Sequence, residues 1–354
     1  MAEREQFGRD ELAIVLSHYD IGVIEHIEEF PRGSRKAPKL LVTSPQGEFL
    51  LKRRAQGKDD AVKVAFTHQL QTFLALKQFP LPHLIGTRDD NNSLLQWTGC
   101  IYELFEYIRG NSYNLHLDST FDGGRILGLY HKLLKDFTSD YEPPYGSYHD
   151  SKFITGSLDK IPATFAAPQW ASKINSELLK SGVLRLRQAY KDAAKRVEDL
   201  GLSDWPLQIV HGDWHPGNML FRNNKVVGVI DYDTARMQQR VIDMANGALQ
   251  FSITGGTEDP STWPDYLDES RFKRFVSGYD TVYKMTPDQQ LSVAEIEAIP
   301  SLMIEAMVAE AAIPIAATGS FGRMEGYGFL QMMERKVRWV QKNAPQIIEH
   351  IMES

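Results

Sequence analysis

Two carboxylates and one amide are spaced so that together they could hold a hard metal ion. Asp213 and Asn218 are five residues apart, in the segment that follows a short apolar strand at 207–210. Asp231 comes thirteen residues after Asn218 and ends a second apolar strand, 226–230. If these two strands are neighbours in a hairpin, all three side chains meet at one end of the sheet. The pattern predicts a set of oxygen ligands with one additional carboxylate.

Phosphoryl transfer is the chemistry that such a set would serve. Magnesium prefers oxygen ligands and takes one or two from the protein, with the others supplied by phosphates and water. Asn218 and Asp231 can be these protein ligands. Asp213 can then orient or deprotonate the hydroxyl that attacks the γ-phosphate. Such a site depends on positioning and charge neutralisation more than on covalent chemistry.

A small antiparallel sheet with one helix is predicted for the first part of the chain. The apolar and turn patterns place strands at Leu40–Thr43, Glu48–Arg54, Leu94–Trp97 and Cys100–Glu106, and a helix at Asp60–Phe79. Since side chains alternate along a strand, Leu50, Lys52 and Arg54 are expected on one face. Lys52 and Arg54 would then present positive charge to a ligand bound over that face of the sheet.

Helices dominate the sequence after Gly110. Periodic apolar residues predict helices at Phe121–Phe137 and Leu184–Leu200, whereas Ser139–Gln169, rich in Pro, Gly and Tyr, reads as a long irregular insertion. We therefore predict an amino-terminal lobe over residues 1–107 and a larger helical lobe over residues 108–354, with a cleft between them.

Composition limits the possible partners and locations. The chain has 354 residues, a net charge of −7 and a pI near 5.8, so it lacks the basic excess of a dedicated nucleic-acid-binding protein. Cys100 is the only cysteine, which rules out an intrachain disulfide. The longest apolar run, 307–317, is interrupted by Glu310 and Pro314 and is too short to span a bilayer. We expect a soluble cytoplasmic protein with neither nucleic-acid nor membrane partners.

The segment from His211 to Asn218 reads HGDWHPGN, and Ile230–Asp233 reads IDYD. These motifs resemble those of the aminoglycoside phosphotransferase/choline kinase family, which also includes type II homoserine kinases and spore-coat kinase-like proteins. The family motif H-G-D-x-H-x-x-N corresponds in role to the catalytic loop of protein kinases. The resemblance implies an α+β, bilobal, protein-kinase-like fold with a small antiparallel sheet in the first lobe, and ATP and Mg²⁺ as cofactors.

The resemblance also implies roles for residues within the two motifs. Asp213 would be the catalytic base, and Asn218 and Asp231 would bind the metal. His211 and His215 would support the loop through hydrogen bonds. Asp243 matches a structural aspartate that follows the metal loop in the family. Two roles stay open from the residues themselves: Asp233, counted here as a supporting residue, either contacts metal or substrate or caps a helix, and Trp214 either lines the acceptor pocket or packs behind the loop.

The expected nucleotide contacts lie in the first lobe and at its end. They are Lys52, Glu106, Tyr107, Ile108, Gly33 and Ser34. Lys52 resembles the strand lysine that holds the α- and β-phosphates. The backbone near Glu106 and Ile108 would bind adenine, and the loop around Gly33 and Ser34 would fold over the phosphates.

One departure from the family pattern concerns the partner of Lys52. The strand lysine usually pairs with a glutamate of the following helix, but no acidic residue lies between Ala61 and Arg88. The helix offers only His68, Gln69 and Gln71. Either Asp59 or Asp60 pairs with Lys52 from the start of the helix, or another element supplies the partner. The departure keeps open a non-catalytic protein on the same fold.

The acceptor is expected to be a hydroxyl of a small polar metabolite, such as homoserine, a choline-like amino alcohol, an aminoglycoside or a sugar. A protein Ser/Thr kinase is a further alternative, although the short segment Tyr232–Val241 leaves little room for an activation segment. Fold and nucleotide chemistry do not select the acceptor. We expect the segments Ser139–Gln169 and Phe251–Tyr266 to do so.

Overall fold

The chain folds into two compact units in a computed structural model that describes residues 4–171, 174–255 and 259–353. The first, called here the sheet unit, comprises the chain up to Asn114 together with Asp136–Pro144 and Gly217–Ala235. The second, the helical unit, comprises Leu115–Lys135, Tyr145–Pro216 and the chain from Arg236 onward. The sheet unit therefore extends beyond the predicted boundary at residue 107 and takes in two later segments. Three predicted segments include residues outside the described ranges: 256–258 lie in the second acceptor segment, 1–3 in the predicted amino-terminal lobe, and 172–173, 256–258 and 354 in the predicted helical lobe.

The sheet unit contains a five-stranded antiparallel sheet in the order β1-β2-β3-β5-β4. Its elements are α1 (Arg9–Ser17), β1 (His26–Glu29), β2 (Lys39–Ser44), β3 (Gly47–Arg53), α2 (Ala61–Leu76), β4 (Leu95–Trp97) and β5 (Cys100–Glu106). Alternate residues of β2 and β3, including Val42 and Leu51, pack against α1 through Val15 and Leu16. The predicted small antiparallel sheet with a helix is confirmed, with strand ends shifted by one or two residues.

Local sequence explains the ends of two of these elements. Helix α2 begins after Asp60, whose carboxylate accepts hydrogen bonds from the N–H groups of Val62 and Lys63 at 3.0 and 3.2 Å. The β4–β5 turn is formed by Thr98 and Gly99, both with positive φ (47° and 78°), as a two-residue hairpin loop of this hand requires.

A second hairpin of the sheet unit, β7 (Met219–Arg222) and β8 (Lys225–Val229), was not predicted as such. The sequence suggested that the strands at 207–210 and 226–230 are neighbours, and this is wrong. Strand β6 (Leu207–Val210) pairs instead with β9 (Arg236–Gln239) in the helical unit, while β8 pairs with β7. The short β7 and β9 escaped notice because four-residue strands carry little periodic signal.

The helical unit is built mainly from long helices. Its helices are α3 (Leu117–Leu134), α4 (Lys152–Phe165), α5 (Pro168–Ala171), α6 (Ser176–Asp199), α7 (Arg240–Ser252), α8 (Glu269–Thr281), α9 (Val293–Thr318) and α10 (Gly326–Met352), and a short hairpin joins β10 (Ser320–Phe321) to β11 (Met324–Glu325). Helix α4 corrects the prediction of an irregular insertion. Ile154, Leu158, Ile161 and Phe165 form its buried stripe at helical spacing, which the Pro- and Tyr-rich residues before it obscured.

Helices α3 and α8 pack so closely that glycine is required where they meet. A Cβ atom on Gly124 would lie 1.9 Å from the carbonyl oxygen of Phe275, and one on Gly278 would lie 2.0 Å from that of Phe121. These distances are far below van der Waals contact, so an alanine at either position would force the helices apart.

Helix α9 is the central helix of the helical unit. By length and composition alone it could cross a membrane, but 78% of its most apolar window is buried inside the protein, as in the core helix of a soluble protein. Leu302, Met303 and Met307 are fully buried. We therefore assign its apolar character to the core.

Candidate active site

Lys52 has a carboxylate partner, and that partner comes from the sheet. The register of β3 and β5 places Lys52 directly opposite Glu103, so both side chains leave the same face of the sheet. Lys52 Nζ lies 3.3 Å from Glu103 Oε2. Neither Asp59 nor Asp60 pairs with Lys52: Asp59 accepts from Gly57 N–H and Asp60 caps α2. The expected ion pair thus exists, but its acid lies on β5.

Glu103 is fully buried and is held by three basic side chains. Besides Lys52, Arg54 Nη2 lies 2.9 Å from Glu103 Oε1, and His68 Nε2 on α2 lies 2.7 Å from the same oxygen. Burial alone would raise the pKa of Glu103, but the charge of Lys52, the hydrogen bond with His68 and the charge of Arg54 together hold it well below its usual range. Glu103 is therefore an anion, and α2 contributes a histidine where a glutamate was expected.

Asp233 belongs to the same ion-pair network. Its Oδ1 lies 2.8 Å from Arg54 Nη2, and its Oδ2 lies 3.9 Å from Lys52 Nζ. It follows the candidate metal ligand Asp231 by two residues, in a short 3₁₀ turn at 232–234. The network therefore ties Lys52 on β3 to the segment behind β8. Sequence spacing did not indicate this placement of Asp233, and its functional role stays a prediction.

A second lysine lies beside Lys52, on the neighbouring strand. Lys39 of β2 is paired with Lys52 in the sheet register. Burial lowers the pKa of Lys39, the charge of Lys52 lowers it further, and Asp231 and Asp233 act in the opposite direction. A Cβ atom on Gly33 would lie only 2.9 Å from Lys39 Nζ, so the loop before β2 passes directly over this ammonium group.

Hydrogen bonds from Arg4 hold the loop that contains Gly33 and Ser34. The Arg4 guanidinium donates to the carbonyl oxygens of Pro31 at 2.7 Å and Ser34 at 3.2 Å. Gly33 has a φ of 83°, a conformation that glycine adopts without strain. The Ser34 hydroxyl accepts from Lys36 N–H at 3.2 Å. The loop thus has a defined path close to Lys39.

The segment after β5 is tied to the β7–β8 hairpin within the sheet unit. The N–H groups of Glu106 and Tyr107 donate to the carbonyl oxygens of His83 and Glu48, both at 2.8 Å. Asn111 and Phe221 exchange two backbone hydrogen bonds, at 2.8 and 2.9 Å. The segment that contains Ile108 therefore has a fixed position relative to the hairpin that bears the candidate metal ligands.

Asn218 and Asp231 lie at the open end of the β7–β8 hairpin. Met219, the first residue of β7, is paired with Val229, the last of β8. Asn218 directly precedes this pair, Ile230 follows it, and Ile230 N–H donates to the Asn218 carbonyl oxygen at 3.0 Å. The hairpin brings the two predicted metal ligands to the same end, and it does so because β8 pairs with β7 and not with β6.

Asp231 has an unusual backbone conformation. Its φ and ψ are 66° and 67°, in the left-handed region, which costs most side chains free energy but which Asp and Asn tolerate. The residue ends β8 and turns the chain into the 3₁₀ turn that contains Asp233. An aspartate at position 231 therefore suits the left-handed turn through its backbone preference, and it also offers a charged carboxylate to a metal ion.

Asp243 holds the start of the HGD segment in the helical unit. Its carboxylate accepts hydrogen bonds from the backbone N–H groups of His211 and Gly212, both at 3.0 Å. His131 Nε2 lies 3.2 Å from Asp243 Oδ2, and the other ring nitrogen lies 2.9 Å from the Tyr279 hydroxyl. This agrees with the structural role expected of Asp243. Because Asp243, His131 and His211 are buried, the carboxylate fixes the backbone immediately before Asp213.

Trp214 packs behind the loop, in the core of the helical unit. It is fully buried, its indole N–H donates to the Gly123 carbonyl oxygen at 3.3 Å, and its ring lies 5.4 Å from that of His211. His211 is also fully buried. Both residues therefore support the loop from the core side.

Asp213 itself is accessible, with 43% of its side chain exposed, and it lies beside His215. His215 Nε2 is 3.5 Å from Asp213 Oδ2. Glu310 of α9 is close enough to interact with both. The pKa of Glu310 is raised, chiefly by burial and also by the charge of Asp213. A hydrogen bond from Gln250 at 2.8 Å and the charge of His215 act in the opposite direction. A carboxylate with a histidine at its side suits proton transfer.

The predicted site residues therefore fall into two groups. The sheet unit contains Lys52, Glu106, Tyr107, Ile108, Gly33, Ser34, Asn218, Asp231 and Asp233, and the helical unit contains Asp213, His211 and His215. Sequence reasoning missed the roles of Glu103, Arg54 and Lys39. Arg54 was placed on the correct face, but Glu103 was seen only as part of a strand, since its pairing with Lys52 depends on two strands distant in sequence.

Comparison with known proteins identifies the family. The sequence profile of the phosphotransferase enzyme family matches residues 26–280. The chain belongs to this family. The phosphotransferase is 21% identical over 297 residues to a homoserine kinase of Zymomonas mobilis, an alignment that covers 82% of each chain. Relatives and structural neighbours are small-molecule kinases, and the predicted enzyme class is confirmed.

Solved structures share the fold of the phosphotransferase at low sequence identity. A microcompartment-associated aminopropanol kinase is 14% identical with a TM-score of 0.66, and the match covers 95% of this chain and 98% of the other. An amicoumacin kinase in complex with AMP-PNP, Ca²⁺ and Ami is 9% identical with a TM-score of 0.63, covering 96% and 94%. These likenesses confirm the predicted α+β, protein-kinase-like fold class.

Proposed function

We propose that the protein transfers the γ-phosphate of Mg-ATP to a hydroxyl of a small polar metabolite. The observation that carries the proposal is the sheet unit's arrangement of Asn218 and Asp231 at one hairpin end, with Lys52 tied to the adjoining segment through Asp233. The family and its small-molecule kinases support this reaction class. An amicoumacin kinase solved with AMP-PNP and Ca²⁺ supports a nucleotide and a divalent metal as cofactors.

The donor set of the hairpin end fits magnesium. One carboxylate from Asp231 and one amide oxygen from Asn218 are hard oxygen ligands, and few protein ligands are needed when phosphates and water complete the shell. When bound, Mg²⁺ would neutralise charge on the phosphate oxygens during transfer. The left-handed turn at Asp231 and the backbone bond between Ile230 and Asn218 would hold the two ligands together.

Nucleotide binding would use the remaining residues of the sheet unit. Lys52, oriented by Glu103, would contact the phosphates, and Lys39 with the Gly33–Ser34 loop would add positive charge and backbone N–H groups. The Glu106 carbonyl oxygen and the Ile108 N–H would bind the adenine edge, because the N–H groups of Glu106 and Tyr107 already donate within the unit.

Asp213 would accept or orient the proton of the acceptor hydroxyl. Asp243 fixes the backbone before it, and His215 lies at its side. Asp213 and Asn218 belong to one eight-residue motif, so the base and one metal ligand are joined by a short stretch of chain. Positioning of this kind is the principal protein contribution to phosphoryl transfer.

The missing helix glutamate no longer favours a non-catalytic protein. Glu103 supplies a buried, ionised partner for Lys52 from β5, which is the function that the helix glutamate was expected to perform. The named relatives and neighbours are small-molecule kinases, which supports a metabolite over a protein as acceptor. The cytoplasmic location stays a prediction.

The proposal is tested by titrating Mg-ATP into the wild type and an Asp213→Asn variant, followed by a screen of hydroxylated metabolites for ADP release. We expect both proteins to bind Mg-ATP with similar affinity and only the wild type to release ADP faster with an acceptor. Loss of a general base reduces turnover by about 10²–10⁴-fold. A wild type without magnesium-dependent ATP binding, or a variant with unchanged turnover, contradicts the proposal.

A further inference from the structure

We propose that the acceptor is an uncharged polyol built on a ring, a sugar or a cyclitol, and that Gln238 binds its hydroxyl groups. The inference rests on the proposed kinase function and narrows its acceptor class. It excludes acceptors whose bound part carries a net charge, whether from an ammonium group or from a carboxylate.

The acceptor would bind in a cavity that lies within the helical unit and has a volume of about 230 Å³. Since an apolar cavity of about 150 Å³ holds a benzene molecule, this one has room for a six-membered ring with its substituents. Gly212, the residue before Asp213, lines the cavity. Asn246 lines it as well and donates to the carbonyl oxygen of Trp214, the residue after Asp213, at 3.5 Å. The cavity therefore lies against the chain on both sides of Asp213.

One polar side chain of this cavity is buried without a partner. Gln238 of β9 is only 5% exposed, and no residue within the described ranges forms a hydrogen bond with its side-chain amide. Because side chains alternate along a strand, Gln238 and Arg236 share the face of β9 that lines the cavity. Gln239 faces away and donates to the carbonyl oxygen of Leu202 at 3.0 Å.

The amide of Gln238 selects for hydroxyl groups. Buried side-chain amides are normally hydrogen-bonded, so this one is suited to a ligand that supplies the missing bonds. It offers one acceptor oxygen and two N–H donors, and an alcohol hydroxyl both donates and accepts. Two neighbouring hydroxyl groups of a polyol can therefore bond to both ends of the amide.

The charged residues of the cavity leave no charge for a ligand to neutralise. Among the described residues that line it, Arg236 and Asp243 are the charged ones. Asp243 accepts hydrogen bonds from the N–H groups of His211 and Gly212. Burial lowers the pKa of Arg236, and the charges of Asp243 and Asp213 act in the opposite direction, so the guanidinium already has anions near it. A ligand ammonium or carboxylate would lose its water without gaining a charge partner, which costs free energy.

Much of the remaining wall is apolar. Ile154 and Ile242 are buried, whereas Phe153 and Ile313 are 65% and 41% exposed although they are large and apolar. Apolar surface that borders a cavity with a few polar groups is typical of a small-molecule site. The C–H groups of a ring would cover Phe153 and Ile313 while its hydroxyl groups reach Gln238. A short open-chain alcohol would leave more of this wall in contact with water.

Gln238 would hold the acceptor without taking part in the bond changes. One hydroxyl oxygen of the polyol bonds to the γ-phosphorus, and the bond from that phosphorus to the β–γ bridging oxygen breaks. ADP leaves, and Asp213 accepts the hydroxyl proton. Loss of the amide should therefore raise KM more than it lowers kcat.

The test compares compounds that share a ring and differ in charge. D-glucose and D-galactose are each compared with their 2-amino and uronic acid counterparts, and myo-inositol, D-ribose, choline and L-homoserine complete the panel. ADP release at saturating Mg-ATP gives kcat and KM for each compound, and titration without ATP gives its affinity. The variants are Gln238→Leu, which removes the amide, and Gln238→Glu, which keeps its shape and adds a charge. Gln239→Leu is the control, because Gln239 lies on the opposite face of the same strand.

We expect the wild type and Gln239→Leu to use at least one neutral polyol with a kcat/KM about tenfold or more above that of every charged compound. The ranking of myo-inositol against the sugars shows which ring is preferred. Gln238→Leu should raise KM for that polyol by about 5–100-fold, as expected for two lost hydrogen bonds. Gln238→Glu should shift the preference toward the amino sugar, and it serves as the test if Gln238→Leu does not fold.

Three results overturn the proposal. They are a wild type that binds no neutral polyol, a wild type that prefers a charged compound, and a Gln238 variant that keeps the KM and the preference of the wild type. If Mg-ATP still binds in these cases, only the acceptor proposal is contradicted. A wild type that does not bind Mg-ATP contradicts the kinase proposal itself.

Discussion

Lys52 and Glu103 face each other across β3 and β5, with Nζ and Oε2 3.3 Å apart. The carboxylate that orients the lysine therefore belongs to the same rigid sheet as the lysine itself. Helix α2 reaches the pair only through His68, which lies 2.7 Å from Glu103. The pair does not depend on the position of α2 in the way that a strand–helix ion pair would.

Removal of the Glu103 charge should weaken Mg-ATP binding. Glu103→Gln removes the buried carboxylate that Lys52 and Arg54 share and leaves them the partly exposed Asp233; breaking a buried pair in this way costs about 3–5 kcal/mol of stability. We expect reduced thermal stability and, below the melting temperature, an Mg-ATP affinity lowered by tenfold or more. Calorimetric titration together with thermal unfolding separates the two effects.

A variant that moves the carboxylate from β5 to α2 tests whether Glu103 acts by orienting Lys52 or only by stabilising the fold. The double variant Glu103→Gln/His68→Glu moves the acid to α2, and it should recover part of the affinity lost in Glu103→Gln. Glu48→Gln, which removes a carboxylate from β3 that pairs with Arg109, is the matched control and should bind Mg-ATP normally. If the double variant binds no better than Glu103→Gln, the role assigned to Glu103 is wrong.

The charge of Asp231 can be removed by an asparagine substitution that preserves the backbone turn. Asp231→Asn should keep the fold, because Asn tolerates a φ of 66°, whereas Asp231→Ala should lose about 1–2 kcal/mol of stability. We expect both variants to bind ATP equally well with and without magnesium, in contrast to the wild type. Titration of ATP with MgCl₂ or EDTA measures this difference. Asp204→Asn, at an exposed position, should retain the magnesium effect.

Asp243 should be important for stability as well as for turnover. Asp243→Ala removes the carboxylate that accepts from the buried N–H of His211 and the partly buried N–H of Gly212, at about 1–3 kcal/mol each. Denaturant unfolding should therefore show a loss of at least ~2 kcal/mol, and kcat should fall because the backbone before Asp213 is no longer fixed. Asp192→Ala, on the exposed face of α6, should change neither quantity. An Asp243→Ala variant of wild-type stability would contradict this account of the loop.

His149 should make stability depend on pH near neutrality. It lies 2.8 Å from Glu305 and 2.9 Å from Glu198. Burial lowers its pKa, but the hydrogen bond and charge of Glu305 and those of Glu198 outweigh this, so the pKa in the folded protein is raised. A raised histidine pKa stabilises the fold below the unfolded pKa, near 6.5, and this contribution is lost as pH rises through the folded pKa.

The pH effect is measured by comparing wild type with His149→Gln. The wild type should be more stable by about 1–3 kcal/mol at pH 6, and the difference should shrink as pH rises toward 9. Thermal unfolding at several pH values records it. A difference that stays constant or grows with pH would show that His149 is neutral in the folded protein.

Local sequence determined much of the site and left its central pair undetected. The HGD segment, the ends of α2 and the strand that bears Lys52 all follow from spacing, capping and turn residues close in sequence. The pairing of Lys52 with Glu103 depends on β3 meeting β5, with α2 and β4 between them in the chain. Likewise, the wrong pairing of β6 with β8 arose because a strand pattern does not identify its partner.

The chain passes between the sheet unit and the helical unit after Asn114, Lys135, Pro144, Pro216 and Ala235. Neither unit is a continuous stretch, and one of these passages falls inside the HGDWHPGN motif. A gene fragment that encodes one unit therefore always encodes part of the other. Asn218 and Asp231 belong to the sheet unit, whereas Asp213 and Asp243 belong to the helical unit. Exchange of one continuous stretch of the gene therefore cannot replace the whole sheet unit while keeping the whole helical unit.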